Sequence, residues 1–154
     1  MKPHAQEAEV LRLLLVYSCI SISDIIAWAD QKIMEDPNPS GELIEISITE
    51  ASNRSAMLSN LSQLAEGADI FAAIRSALGR IHDAASTLSP EELADLAKSL
   101  NNIALENRQN LPADLSFLLG LGDKFSHAVA DAPDELPALS QEFLGNLKKF
   151  QGAA

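Results

Sequence analysis

The chain has 154 residues, 47% of them hydrophobic and 21% charged, with 22 acidic against 11 basic side chains and a net charge of -11. That length suits a single helical domain over residues 1–154 with enough core to stand without disulfide or metal staples, and that composition excludes wholesale disorder. The acidic balance argues against nucleic acid or an anionic membrane as partner, both of which need basic surface, and favours fast association with a basic protein.

Helical spacing dominates from the start. Ala8, Leu11, Leu15, Cys19 and Ile22 recur every three or four residues, while Leu13, Leu14 and Val16 fill most other faces, the pattern of a buried helix. The flanking Glu7 and Glu9 balance Lys2 and Arg12, so the run lacks the basic leader of a secretory signal, and Arg12 interrupts it. A cytoplasmic protein with a buried first helix is expected. Cys19, the one cysteine, reads as a packed thiol inside that helical run.

A second helix is expected from near Ser23 through Ile25, Ile26, Trp28, Ala29 and Ile33, with Trp28 in the core. Asp36-Pro37-Asn38-Pro39-Ser40-Gly41 stops it, because proline removes a donor and restricts the residue before it. Glu42 to Ile48 fits either a short strand or a short helix. Helix is preferred, since a lone strand would leave its backbone unpaired.

Further helices follow through Met57, Leu58, Leu61, Leu64 and Ala65, then from Asp69 through Ile70, Ile74, Ala77, Leu78, Ile81 and Ala85. Ser89-Pro90-Glu91-Glu92 is the clearest start in the chain: Ser89 caps, Pro90 takes the first position and Glu92 completes a capping box. Leu93, Leu96, Ala97, Leu100, Ile103 and Ala104 line that helix. Pro112 opens a helix through Leu115, Leu118, Leu119, Phe125 and Val129, kinked at Gly120 and Gly122. The last starts at Asp134 and carries Leu136, Leu139, Phe143, Leu147 and Phe150, a core stripe, before Gly152-Ala153-Ala154 frays. The expectation is an all-α, compact bundle of about seven helices with short loops. No repeat period recurs in residue identity, which argues against a solenoid.

Catalytic patterns are missing. His4, His82 and His127 are far apart, and His82-Asp83 lacks the further ligands that a metal site of the His-Asp type requires. Cys19 is flanked by apolar residues, and Gly120-Leu121-Gly122 has no strand before it to build a phosphate loop. A protein that is not an enzyme, with no metal and no cofactor, is expected.

The carboxylates gather in two places. Asp30, Glu35, Asp36, Glu42 and Glu45 lie close together, diluted only by Lys32; Asp131, Asp134 and Glu135 form a second group before the last helix. Both are candidate contact surfaces for a basic partner, since charged rims raise association rate and specificity.

The segment Ile25-Ile26-Ala27-Trp28-Ala29-Asp30, with Ile33, Pro37, Pro39 and Leu43-Ile44-Glu45-Ile46-Ser47, resembles a pattern in bacterial immunity proteins of contact-dependent inhibition and related polymorphic toxin systems. The resemblance covers only Ile25 to Ser47. It implies a cytosolic antidote, monomeric or weakly dimeric, that binds a cognate toxin domain, in the acidic case a basic nuclease, and blocks it stoichiometrically. The residues that carry it are structural, so no contact residue transfers with it. The alternative function is a small acidic helical secretion chaperone or adaptor.

Overall fold

The computed structural model describes residues 2–152; Ala153 and Ala154, expected to fray, lie outside the described residues. Among the described residues the chain is helical throughout, with no strand and with eight α-helices where about seven were expected. They are α1 (Ala5–Val16), α2 (Ile22–Glu35), α3 (Gly41–Ser47), α4 (Arg54–Leu64), α5 (Ile70–Ala85), α6 (Pro90–Glu106), α7 (Leu121–Asp131) and α8 (Leu136–Lys148). Short 3-10 turns cover Arg108–Asn110, Ala113–Leu118 and Pro133–Glu135. The helices group into two compact units, Met1–Ala77 and Leu78–Ala154, with the first half of α5 in one and its second half in the other.

In the first unit α1 packs beside α4, α4 beside α3, and α3 beside α2. Helix α1 buries Ala8, Val10, Leu11, Leu13, Leu14 and Leu15, the nearly all-round burial that its sequence predicts. It ends earlier than expected. Ser18 adopts the left-handed conformation (φ 59°), and the Ser18 and Cys19 amides donate back to the carbonyls of Leu15 and Leu14 at 3.0 and 2.8 Å. This is a Schellman ending built on serine rather than glycine. Cys19 therefore sits in the connection to α2, half-buried, and not inside a helix. Desolvation alone raises its thiol pKa, which favours the protonated form.

Side-chain caps set the next starts. Ser21 accepts from the Asp24 amide, Ser40 from Leu43 and Asn53 from Ala56. Helix α3 confirms the helical reading of Glu42 to Ile48 over its first six residues and sends Leu43 and Ile46 into the core beside Met57, Leu61 and Leu64 of α4. Trp28 is only half-buried, its ring edge-on to that of His4 with centroids 6.1 Å apart, rather than sealed in the core. The chain start is fastened by Lys2, which donates to the Gln63 carbonyl at 2.9 Å and meets Glu42 at 3.0 Å and Glu66 at 3.7 Å.

In the second unit α6 packs along α7, with α8 touching both. The capping box forms as read: the Glu92 amide donates to Ser89 Oγ at 3.2 Å, and the Ser89 amide donates to the Glu92 carboxylate at 3.1 Å. Two hydrogen bonds to Ser89 hold the Glu92 carboxyl below the usual carboxylate range, the backbone amide contributing most. The helix expected after Pro112 is divided rather than kinked. Ala113–Leu118 forms a 3-10 turn, Gly120 takes a left-handed φ of 84°, and α7 starts afresh at Leu121. Phe125 and Phe143 meet edge-to-face at 5.6 Å in the core, and Phe117 stacks on Phe150 at 5.9 Å. Leu136, Phe143 and Leu147 are buried, so the last apolar stripe is a core face.

Candidate partner-binding surface

The first acidic group lies on the hairpin formed by α2 and α3. Asp36 leaves the helix in an extended conformation, and its Oδ1 accepts from the Asn38 amide at 2.9 Å, turning the chain in concert with Pro37 and Pro39. The short connection returns α3 antiparallel to α2. Ser47 Oγ donates to Asp30 Oδ1, a bond that fixes the register of the two helices. With Asp30 opposite Ser47, a position one turn nearer the loop on α2 faces a position one turn earlier on α3. Met34 and Ile44 are thereby brought to the same stretch of the hairpin.

The five carboxylates differ in their freedom. Asp30, Glu35 and Glu45 are exposed and Asp36 is half-buried. Glu35 receives hydrogen bonds from Gln31 Nε2 at 3.2 Å and Lys32 Nζ at 3.4 Å, while the side chain of Glu45 has no partner among the described residues. Glu42 is occupied within its own unit by Lys2 at 3.0 Å. Its own backbone amide first, and then Lys2, hold the Glu42 carboxyl below the usual range, and the same pair raises the Lys2 ammonium. Glu42 thus fastens the chain start, Asp30 and Asp36 each give one oxygen to a bond within the hairpin, and Glu45 alone of the five has a side chain without a partner among the described residues.

The second group belongs to the other unit. Asp134 and Glu135 are exposed in the 3-10 turn before α8, and Asp131 pairs with His127 at 3.5 Å across one turn of α7. The structure therefore gives each group its own unit.

Sequence reasoning overlooked three apolar residues on the hairpin. Met34 is 87% exposed, Ile48 67% and Ile44 41%, although the neighbouring Ile25, Ala29, Leu43 and Ile46 are fully buried. Ile44 and Ile48 are four residues apart and share one face of α3; Asp30 and Met34 likewise share one face of α2. The signal was present in the sequence, because Met34 falls off the stripe drawn by Ile25, Ala29 and Ile33.

The polar chemistry elsewhere is sparse. His82 Nδ1 lies 3.4 Å from Asp83 Oδ1, and Gln151 Nε2 is 3.0 Å from each, a small surface cluster held by an amide. Among the described residues no group of three His, Cys, Asp or Glu is placed to hold a metal ion, and no helix is long and apolar enough to cross a membrane. A cavity of about 230 Å³ in the second unit is lined by Phe117, Leu119, Leu121, Leu139 and Phe143, with Lys124 and Glu142 among its polar residues. It falls below the size of an ordinary small-molecule site. In comparisons with protein-family models, curated proteins and solved structures, nothing matches this chain.

Proposed function

We propose that this chain is an immunity protein, a cytoplasmic antidote that neutralises the basic toxin domain of a polymorphic toxin system by stoichiometric binding rather than catalysis. The observation that supports it is the α2–α3 hairpin. There Asp30, Glu35 and Glu45 stand exposed near apolar residues, on a hairpin bridged by the Asp30–Ser47 bond. The overall charge of -11 adds a long-range pull on a cationic surface, such as a nuclease face built for phosphates. The resemblance between Ile25 and Ser47 falls on the same hairpin.

The test asks whether the gene beside this one encodes a large secreted protein, and takes that protein's C-terminal domain. Co-expression should restore growth to cells producing that domain, and the two should purify as a complex. Changing Glu35, Asp36 and Glu45 together to Gln should slow association and flatten its salt dependence. Failure of the wild-type chain to bind that domain or protect the cell rejects the reading. Unchanged association at low salt in the triple variant rejects the assigned surface.

A further inference from the structure

We infer that Met34, Ile44 and Ile48 form the apolar centre of a docking surface that receives a cationic amphipathic face of another protein. Soluble proteins bury large apolar side chains where they can, and this hairpin does so with Ile25, Leu43 and Ile46. Among the described residues Met34, at 87% exposed, is the most open of the exposed large apolar side chains, and Ile48 follows at 67%. Both belong to one hairpin whose register is tied by Asp30 and Ser47, so they are presented together and not scattered. Methionine adapts its shape to a partner, and isoleucine supplies rigid apolar area beside it.

The rim decides what covers this centre. Asp30 precedes Met34 by one turn on the same face, Glu35 adjoins it in sequence, and Glu45 lies between Ile44 and Ile48. A second copy of the chain would bring these carboxylates against their own counterparts, a like-charge juxtaposition that opposes association. An anionic membrane meets the same repulsion. A protein face with apolar residues flanked by Lys or Arg satisfies both parts, with hydrophobic burial at the centre and steering at the edge. The inference rests on the reading of this chain as a binding protein, and it holds whether or not the partner is a toxin.

The probe is a helical Lys–Leu peptide whose leucines repeat at helical spacing and whose other positions are lysine, titrated into the isotope-labelled full chain at low salt. Amide shifts should concentrate on α2 and α3, and M34D/I48D should weaken binding by roughly thirtyfold with its melting temperature unchanged. The milder M34Q/I48T should weaken it less, which keeps the test valid if the charged pair disturbs folding. Shifts centred outside the hairpin, or wild-type affinity in both double variants, overturn the inference. So does a wild-type dimer that M34D/I48D dissolves, or capture by phosphatidylserine vesicles that it abolishes. Peptide binding on the hairpin without binding of the neighbouring toxin domain leaves this surface standing and rejects the immunity reading alone.

Discussion

Arg12 grips Glu9 through two hydrogen bonds, Nε to Oε2 at 3.0 Å and Nη2 to Oε1 at 2.5 Å, one turn apart on the most apolar helix of the chain. Glu9 is only 7% exposed there, so its carboxylate depends on this fork in place of water. Removing the guanidinium strands the charge. Arg12→Met should cost about 1–3 kcal/mol, and adding Glu9→Leu should recover most of that loss, because a buried pair is often replaceable by apolar residues of similar volume. Urea denaturation of both single variants and the double variant measures the coupling. Arg12→Met within experimental error of wild type would show the pair to be inert.

Two glycines should respond to the same methyl group with opposite signs. A Cβ on Gly79 would run into the backbone carbonyl of Phe150, with its carbon at 2.7 Å, and backbone cannot step aside as a side chain can. Gly145 in α8 meets nothing within 4 Å. Gly79→Ala should therefore lower the melting temperature despite alanine's helix preference, while Gly145→Ala should gain about 0.5–1 kcal/mol. Calorimetry of the two variants side by side settles the pair, and equal shifts would contradict it.

Ser140 carries a buried hydroxyl with no hydrogen-bond partner among the described residues. An unpaired polar group in a core is a standing cost, and alanine removes it while improving helix propensity. Ser140→Ala should raise stability by about 1 kcal/mol, or ~2–4 °C in melting temperature. A fall in melting temperature would mean the hydroxyl has found a partner.

The fastening of the chain start should follow pH from both sides. The folded-state pKa of Glu42 is depressed, chiefly by its own backbone amide and then by Lys2, so its contribution is present above the usual carboxylate range and lost as pH falls through the lowered value. The folded-state pKa of Lys2 is raised, chiefly by its hydrogen bond to Glu42, so its share is lost as pH rises through the raised value. Hydrogen exchange near the Gln63 carbonyl and α3 should quicken at both extremes. In Glu42→Gln the acid limb should flatten, and an acid limb that stays as steep would assign it to other carboxylates.

Most of the fold was legible in the sequence because its signals are local. Ser89, Pro90 and Glu92 specify a helix start within four residues, and the structure builds both capping bonds. What escaped was set by backbone conformation that side-chain type does not announce. A serine at φ 59° ends α1, where a glycine would have been the readable sign, and so Cys19 lies in the connection and not in the helix that its spacing predicts. At Gly120 a kink and a break share the same sequence sign, and only the left-handed φ of 84° distinguishes them. Of the candidate surface, the carboxylates were visible as a run of charge. The pairing of Glu42 with Lys2 was not, because it joins residues far apart in the chain. Ile44 and Ile48 alternate with Leu43 and Ile46, and which pair faces outward depends on the neighbours of α3, here α2 and α4.

Trp28 turns its half-buried ring edge-on to His4 and is the only tryptophan among the 154 residues. It stands six positions before Met34 on α2, roughly 120° around the helix. The unit Leu78–Ala154 holds no indole at all. Tryptophan emission is therefore a built-in reporter of one half of the molecule, while far-ultraviolet dichroism sums the helices of both. Melting the native chain by the two signals together reads out, without any label or substitution, whether its halves come apart as one cooperative body or in succession.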